Sequence, residues 1–300
     1  MDYQTVATGL RFPEGPIAMP DGSVVLVEIA RGTLTRIDSQ GNARVVAALG
    51  GGPNGAAIGP DGRCYVCNNG GFQWIERNGR LYPGEQPNDY SGGSIQRVDL
   101  ATGRFETLYD SCDGRKLCGP NDLVFDHTGG FWFTDHGKTR PRERDRTGVF
   151  YARADGSAIT EVIFPLEGPN GIGLSRDEDE LYIAETMTAR LWAYPITGPG
   201  QVGSPRRLLP GIEGFHLYDS LAVDGNGNVC VATLVNGGIS ILSPKGAVPR
   251  FIGLPDPLVT NICFGGPDLR RAFVTASSTG ALLSFEWDCP GLPLNFLNDR

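Results

Sequence analysis

Six stretches of this chain follow one pattern, and that repetition limits the fold more than any single motif does. They read PEGPIAMPDGSVVLVEI from Pro13, PNGAAIGPDGRCYVCNN from Pro53, PNDLVFDHTGGFWFTDH from Pro120, PNGIGLSRDEDELYIAET from Pro169, YDSLAVDGNGNVCVATL from Tyr218 and TNICFGGPDLRRAFVTAS from Thr260. Each has a polar second position, a short apolar segment, a turn rich in Asp, Gly or Pro, and a second, strongly apolar segment. Apolar runs joined by such turns read as β-hairpins.

Alignment of the copies puts Glu14, Asn54, Asn121, Asn170, Asp219 and Asn261 at one equivalent position, with spacings of 40, 67, 49, 49 and 42 residues. Four-stranded propeller blades occupy about 40 to 50 residues each. The expected fold is therefore all-β, a six-bladed β-propeller forming a single domain over residues 1–300. Residues 33–38 with 43–47, and 94–99 with 105–109, supply further strand pairs after the first and second hairpins. The 43 glycines and 22 prolines suit many tight turns. Residues 3–8 and 282–287 read as strands, and the first is expected to complete the last blade, because closing the ring removes exposed sheet edges. The tail from Cys289 is expected to be irregular and to pack on the outside.

In such a fold the innermost strands face one axis, so the equivalent positions form a ring of Glu, Asn, Asn, Asn, Asp and Asn. That ring offers oxygen donors and no thiol or imidazole. Calcium takes about six to eight oxygen ligands, whereas zinc favours His and Cys. A central divalent-metal site is expected, with calcium ahead of magnesium, manganese or zinc. Asn and Asp also tie turns, and that alternative stays open, most of all at Asn54 and Asn261.

The formal net charge is −8. It argues against nucleic acid as a partner, since such proteins carry clustered basic surface. No segment reaches the length of about 18 apolar residues that spans a membrane, and the N-terminus lacks a signal-peptide pattern. Seven cysteines, an odd number, fit a reducing compartment. A cytoplasmic protein with a small-molecule substrate is the expectation, and the oligomeric state is open. Cys64 and Cys67 are spaced as CxxC, but in a strand they point to opposite faces, so free thiols are expected; Cys112 and Cys118 share a loop and could bridge if oxidised. Gly198 to Gly203 matches GxGxxG without the flanking strand and helix that give it meaning, and reads as a turn.

Two segments depart from the repeat. Residues 70–93 enlarge the second repeat and read either as a wall over the site or as an idle loop. Residues 136–148, HGKTRPRERDRTG, hold one Lys and four Arg against one Glu and one Asp. They read as a basic rim for an anionic substrate or as a solvated loop.

The set FPEGP at Phe12, GPND at Gly119, EGPNG at Glu167, DSLAVD at Asp219 and TNICFGGPDLRRAFVT at Thr260 resembles the regucalcin and gluconolactonase (SMP-30/gluconolactonase/LRE-like) family of six-bladed propellers, to which diisopropyl fluorophosphatase is structurally related. The resemblance implies that Glu14, Asn170 and Asp219 hold a divalent metal and that Asn121 contributes to metal or substrate binding. Animal members carry an Arg two residues before the third-blade Asn, where this chain has Gly119, and the fifth-blade motif often reads PDG where this chain has Tyr218, Asp219 and Ser220.

The implied activity is metal-dependent hydrolysis of a sugar-derived or other small lactone. Asp219 is the candidate general base, with His216 and His136 as alternatives whose ordinary pKa near 6.5 suits the task. Asn121, His216, His136 and Asn54 are the candidate substrate contacts. His127 is expected to be remote, and Asp122 to support its turn. Two other readings remain: a hydrolase of phosphorus esters such as fluorophosphates, and a calcium- or ligand-binding propeller without turnover.

Overall fold

The computed structural model describes residues 2–204 and 206–298. Met1, Pro205 and the last two residues of the tail lie outside the described ones. All regular structure among the described residues is β-strand.

Six antiparallel sheets follow the six repeats. Blade one contains Pro13–Ala18, Val24–Glu28, Thr33–Ile37 and Ala43–Ala48, and blade two Pro53–Ile58, Cys64–Asn68, Ser94–Val98 and Phe105–Tyr109. Blade three contains Pro120–Phe125, Gly130–Asp135, Thr147–Arg153 and Ile159–Leu166. Blade four runs through Pro169–Leu174, Glu180–Glu185, Arg190–Gly198 and Arg207–Leu209, and blade five through Leu217–Val223, Val229–Leu234, Gly238–Leu242 and Arg250–Gly253. Blade six combines Val259–Gly265, Arg271–Ala276 and Ala281–Glu286 with Gln4–Ala7 from the other end of the chain. Thr5 pairs with Leu283, so the N-terminal strand closes the ring.

Strand alternation explains how the blades adhere. Successive side chains of a strand point to opposite faces, and here each face meets a different neighbouring blade. In Cys64–Asn68, Cys64 and Val66 pack with Val25, Val27 and Leu34 of blade one, while Tyr65 and Cys67 pack with Phe125, Phe131 and Phe133 of blade three. The two cysteines thus belong to different cores, which removes the CxxC reading, and all seven thiols are free. Equivalent clusters join blades three and four around Trp132 and Ile183, four and five around Tyr218 and Val231, five and six around Val274 and Ile241, and six and one around Leu26 and Phe273.

The six first strands all line one central cavity of about 110 Å³. Glycines after the ring position let them approach: a Cβ on Gly15 would stand 2.5 Å from Asn54 O, and one on Gly171 2.7 Å from Asp219 O. The tail corrects the sequence expectation. It is irregular, yet instead of lying outside it crosses the far end of the cavity, where Leu292, Pro293, Leu294 and Leu297 contribute to the lining. Leu292 N donates to Val223 O at 2.9 Å, and Asn295 Nδ2 to Phe125 O at 3.0 Å. Gly198 opens a tight turn into Gln201–Val202, as its sequence reads.

Candidate functional site

The ring lies at the end of the channel opposite the tail. There the last residue of each second strand stands beside the start of the first, as in Pro13 with Glu28, Pro53 with Asn68, Pro120 with Asp135 and Pro169 with Glu185. These four polar ends fix the loops that lead into the ring. Glu28 accepts from Arg11 N at 2.8 Å, Asn68 from Gly52 N at 2.8 Å, Asp135 from Gly119 N at 2.7 Å and Glu185 from Glu167 N at 2.9 Å. The chain thereby presents Glu14, Asn54, Asn121 and Asn170 from a backbone held on both sides. A sequence signal for these four exists, since VLVE, YVCN, WFTD and YIAE all close an apolar run with a polar residue.

Glu14, Asn170, Asp219 and Asn261 come together. Glu14 is buried, and Asn261 Nδ2 donates to its Oε2 at 2.7 Å. Burial pushes the Glu14 carboxyl well above the usual range, and the negative charges of Asp219 and then Asp122 add to the rise, against the lowering by the Asn261 bond. Asp219, half-buried at the ring, is likewise raised by desolvation, opposed by hydrogen bonding from Asn170 and pushed further by Asp122. Asn170 is buried and oriented, its Nδ2 donating to Thr186 Oγ1 at 3.1 Å while Oδ1 has a 3.4 Å contact from Ser220 Oγ. Asp122 is raised to about 7, chiefly by burial. Its Oδ1 accepts from Leu123 N at 2.9 Å, which is the turn-supporting role its position suggests.

This donor set fits a hard cation. Glu14 feels the negative charges of Asp219 and Asp122, and Asp219 that of Asp122, and no Lys or Arg appears among the charges that act on the three. Asn121 is buried with its Oδ1 left without a hydrogen-bond partner. An orphaned buried carbonyl oxygen and uncompensated buried carboxylates are each unfavourable in a protein interior unless something positive completes them. Among the described residues no three His, Cys, Asp or Glu side chains form a metal cluster by themselves, so carboxamide oxygens would have to complete any ligand set, which calcium tolerates.

The histidines separate. His127 sits in the turn between the first two strands of blade three, at the opposite end, exposed and bonded to Glu178 Oε2 at 2.5 Å. His216 is buried, with Nδ1 against Gly214 O at 3.0 Å, its ring 4.9 Å from Tyr218, and Nε2 without a partner. Desolvation lowers its pKa, so it is neutral at pH 7. His136 is lowered to about 3 by burial and by the charges of Arg144 and Lys138. Its Nε2 accepts from Arg144 Nη2 at 2.8 Å. Asn54 is buried at the ring, with its backbone oxygen against Gly15.

Both irregular segments fold onto the ring face. Residues 70–93 carry a hairpin, Trp74–Arg77 with Arg80–Pro83. Leu81 N donates to Ser278 O of blade six at 2.9 Å, and Gln86 N to Thr139 O of blade three at 3.0 Å. Trp74 packs on Phe12, two residues before Glu14, at 5.1 Å. The segment is therefore tied to blades one, three and six. The basic segment forms its own small hairpin, Thr139–Arg140 with Glu143–Arg144.

Lys138, which in the sequence is one more member of a charge run, is fully buried and joins the two segments. Its Nζ donates to Asn69 Oδ1 at 3.1 Å and Gly71 O at 2.6 Å, and lies 4.3 Å from the centre of the Phe72 ring and 5.5 Å from that of Tyr90. Burial lowers its pKa to about 7, against the opposing pull of Asp135, Asp145 and the Cys118 thiol. The unfolded chain therefore binds more protons than the folded one between pH 7 and about 10.4, and this residue's contribution to stability rises with pH across that window. Wild-type protein should gain stability relative to Lys138→Met between pH 7 and 8.5, by at most about 1.4 kcal/mol per pH unit. Parallel denaturant titrations at the two pH values measure this; a difference that does not change with pH contradicts the buried placement of the ammonium.

The family described as "SMP-30/Gluconolactonase/LRE-like region" matches residues 12–278. The chain is 27% identical over 307 aligned positions to the gluconolactonase of Zymomonas mobilis, covering 91% of this chain and 78% of that protein. It is 30% identical over 203 positions to the diisopropyl-fluorophosphatase of Loligo vulgaris, covering 63% of this chain and 64% of that one. Regucalcin from Agrobacterium tumefaciens, described as a calcium-binding protein, superposes with a TM-score of 0.74 at 19% identity, over 97% of this chain and 95% of its own, and so supports the fold. With the matched region running from the first ring residue through the last, the chain belongs to the SMP-30/gluconolactonase/LRE-like family.

Proposed function

We propose that this protein is a divalent-metal-dependent hydrolase of a small lactone. The observation that carries the reading is the pair Glu14 and Asp219, both raised by burial and by neighbouring carboxylates with no Lys or Arg to compensate, in a ring that also holds the unpartnered Asn121 Oδ1. Glu14, Asn170 and Asp219 would hold the ion, calcium by preference, with Asn121 completing the set or meeting the substrate. Bound there, the ion supplies Lewis acidity toward a carbonyl oxygen and lowers the pKa of water.

The protein's own groups supply the rest. Asn261 and Gly15 N hold the Glu14 carboxylate in place. Asn170 is fixed by Thr186. Asp219 is the proposed base, since it is a carboxylate at the ring, beside Asn170 and within electrostatic reach of Glu14. His216 offers an unprotonated, unpartnered Nε2; it is buried against Tyr218 and makes no described contact with Asp219, which leaves it as a substrate contact instead. The tied wall of residues 70–93 limits which lactones enter. The seven free thiols support a reducing, cytoplasmic setting.

The 30% identity to a fluorophosphatase favours a second reading, hydrolysis of a phosphorus ester at the same residues. A panel of aldonolactones, aliphatic lactones and a fluorophosphate, assayed with each cation in turn, separates them. The proposed function predicts turnover of at least one lactone class well above that of the fluorophosphate. Cation binding with no turnover of any lactone would contradict it.

A further inference from the structure

Two arginines of the basic segment on the ring face, Arg142 and Arg144, form no ion pair among the described residues, and of these Arg142 is exposed to solvent while Arg144 is partly buried. Arg140 meets Glu143 at 2.7 Å and also pairs with Asp145, and Arg146 meets Glu167 at 2.8 Å. Arg144, between them in the chain, forms no ion pair among the described residues. Its guanidinium bonds to His136, with Nη2 at 2.8 Å from Nε2 and 3.2 Å from the carbonyl oxygen. Its Nε is buried and has no partner. Glu167 and Asp145 act on it only at longer range, and both are already engaged by the other arginines.

The position points to the ring. The guanidinium lies against the α-carbon of Gly168, where any side chain would collide with Nη2 and would stand 3.2 Å from His136 Cε1. Gly168 is two residues ahead of Asn170, and its carbonyl accepts from Thr186 N at 2.9 Å; Thr186 is the residue that orients the Asn170 carboxamide. His136 is held neutral, so it serves Arg144 as an acceptor and does not repel it. A partly desolvated guanidinium whose short contacts are a neutral imidazole nitrogen and one carbonyl oxygen is poorly compensated. The planar N–H donors of a guanidinium match the two-oxygen geometry of a carboxylate, and a hydroxyl would offset the desolvation less well.

We propose that Arg144, positioned by His136, recognises a carboxylate carried by the ligand beside Asn170, which makes the substrate class acid-bearing lactones such as those of aldaric acids. The inference rests on the lactonase reading for its reaction but not for its binding. The test has two arms. In the first, kcat/KM is measured for an aldaric acid lactone and for a neutral aldonolactone of the same ring size. The ratio of the two should fall about ten- to a hundredfold in Arg144→Gln, mainly through KM for the acid, and recover in part in Arg144→Lys. An unaltered ratio overturns the proposal.

In the second arm an open-chain aldarate is titrated calorimetrically onto cation-loaded protein. Wild type should bind it about tenfold or more tighter than the corresponding diamide, a comparison that needs no variant to fold. Aldarate binding that depends on Arg144 without turnover of any lactone supports the subsite while removing the lactonase reading. Lactone turnover with no preference for the acid over its amide removes the subsite and leaves that reading intact.

Discussion

Asp219→Asn is expected to lower lactone kcat/KM by about a thousandfold, equivalent to roughly 4 kcal/mol of transition-state stabilisation, while making the cation-free protein more stable. Both effects come from one charge. Asp219 supplies half of the formal negative charge among the proposed ligands and is the proposed base, so its loss weakens the ion and removes the proton acceptor together. In the cation-free protein the same charge presses on Glu14, whose carboxyl is raised first by burial and next by Asp219. An Asn of similar shape removes that repulsion while preserving the Ser220 and Asn170 contacts on that side. Turnover assays paired with melting curves in chelator measure the two effects. Full turnover with full cation affinity would remove Asp219 from the site, and a lower melting temperature in chelator would contradict the electrostatic description.

Gly171→Ala should cost about 2 to 3 kcal/mol of stability and a large part of the activity. The added carbon would stand 2.7 Å from both Asp219 O and Leu221 N and 2.8 Å from Ser220 C. These are backbone atoms of the next blade's inner strand, so no rotamer change relieves the clash, and any shift moves Asp219 itself. Gly198→Ala is the control, because its carbon would meet only the Gln201 side chain, at 3.7 Å. Denaturant unfolding of both variants decides the point. Equal stability of Gly171→Ala and wild type would mean that the inner strands are not packed as closely as described.

The fold is legible in the sequence because a propeller is built from the features that sequence displays best. Strands alternate apolar residues on two faces, both faces are buried by neighbouring blades, and each turn announces itself with Asp, Gly or Pro. The repeat then sets the ring position, so Glu14, Asn170 and Asp219 align from the six copies alone. The tail from Cys289 is not legible, since it has no periodicity and its path across the channel is set by contacts with Val223 and Phe125. Lys138 and Arg144 are hidden for a related reason. A run such as HGKTRPRERDRTG looks solvated, and only tertiary packing shows that Lys138 is buried under residues 70–93 while Arg144 turns inward to His136. Asn261, which the repeat marks only as a ring member or a turn-tying residue, holds Glu14.

Binding of a divalent cation by the ring, and the dependence of hydrolysis on it, can be tested most directly by calorimetric titration of calcium into chelator-treated protein, with lactone turnover followed at each addition. The expected result is one tight site per chain, turnover that rises in step with its occupancy, and an affinity at least about a hundredfold weaker in Glu14→Gln. Turnover that survives complete removal of divalent cations, or unchanged calcium affinity in Glu14→Gln, would contradict a metal-dependent ring.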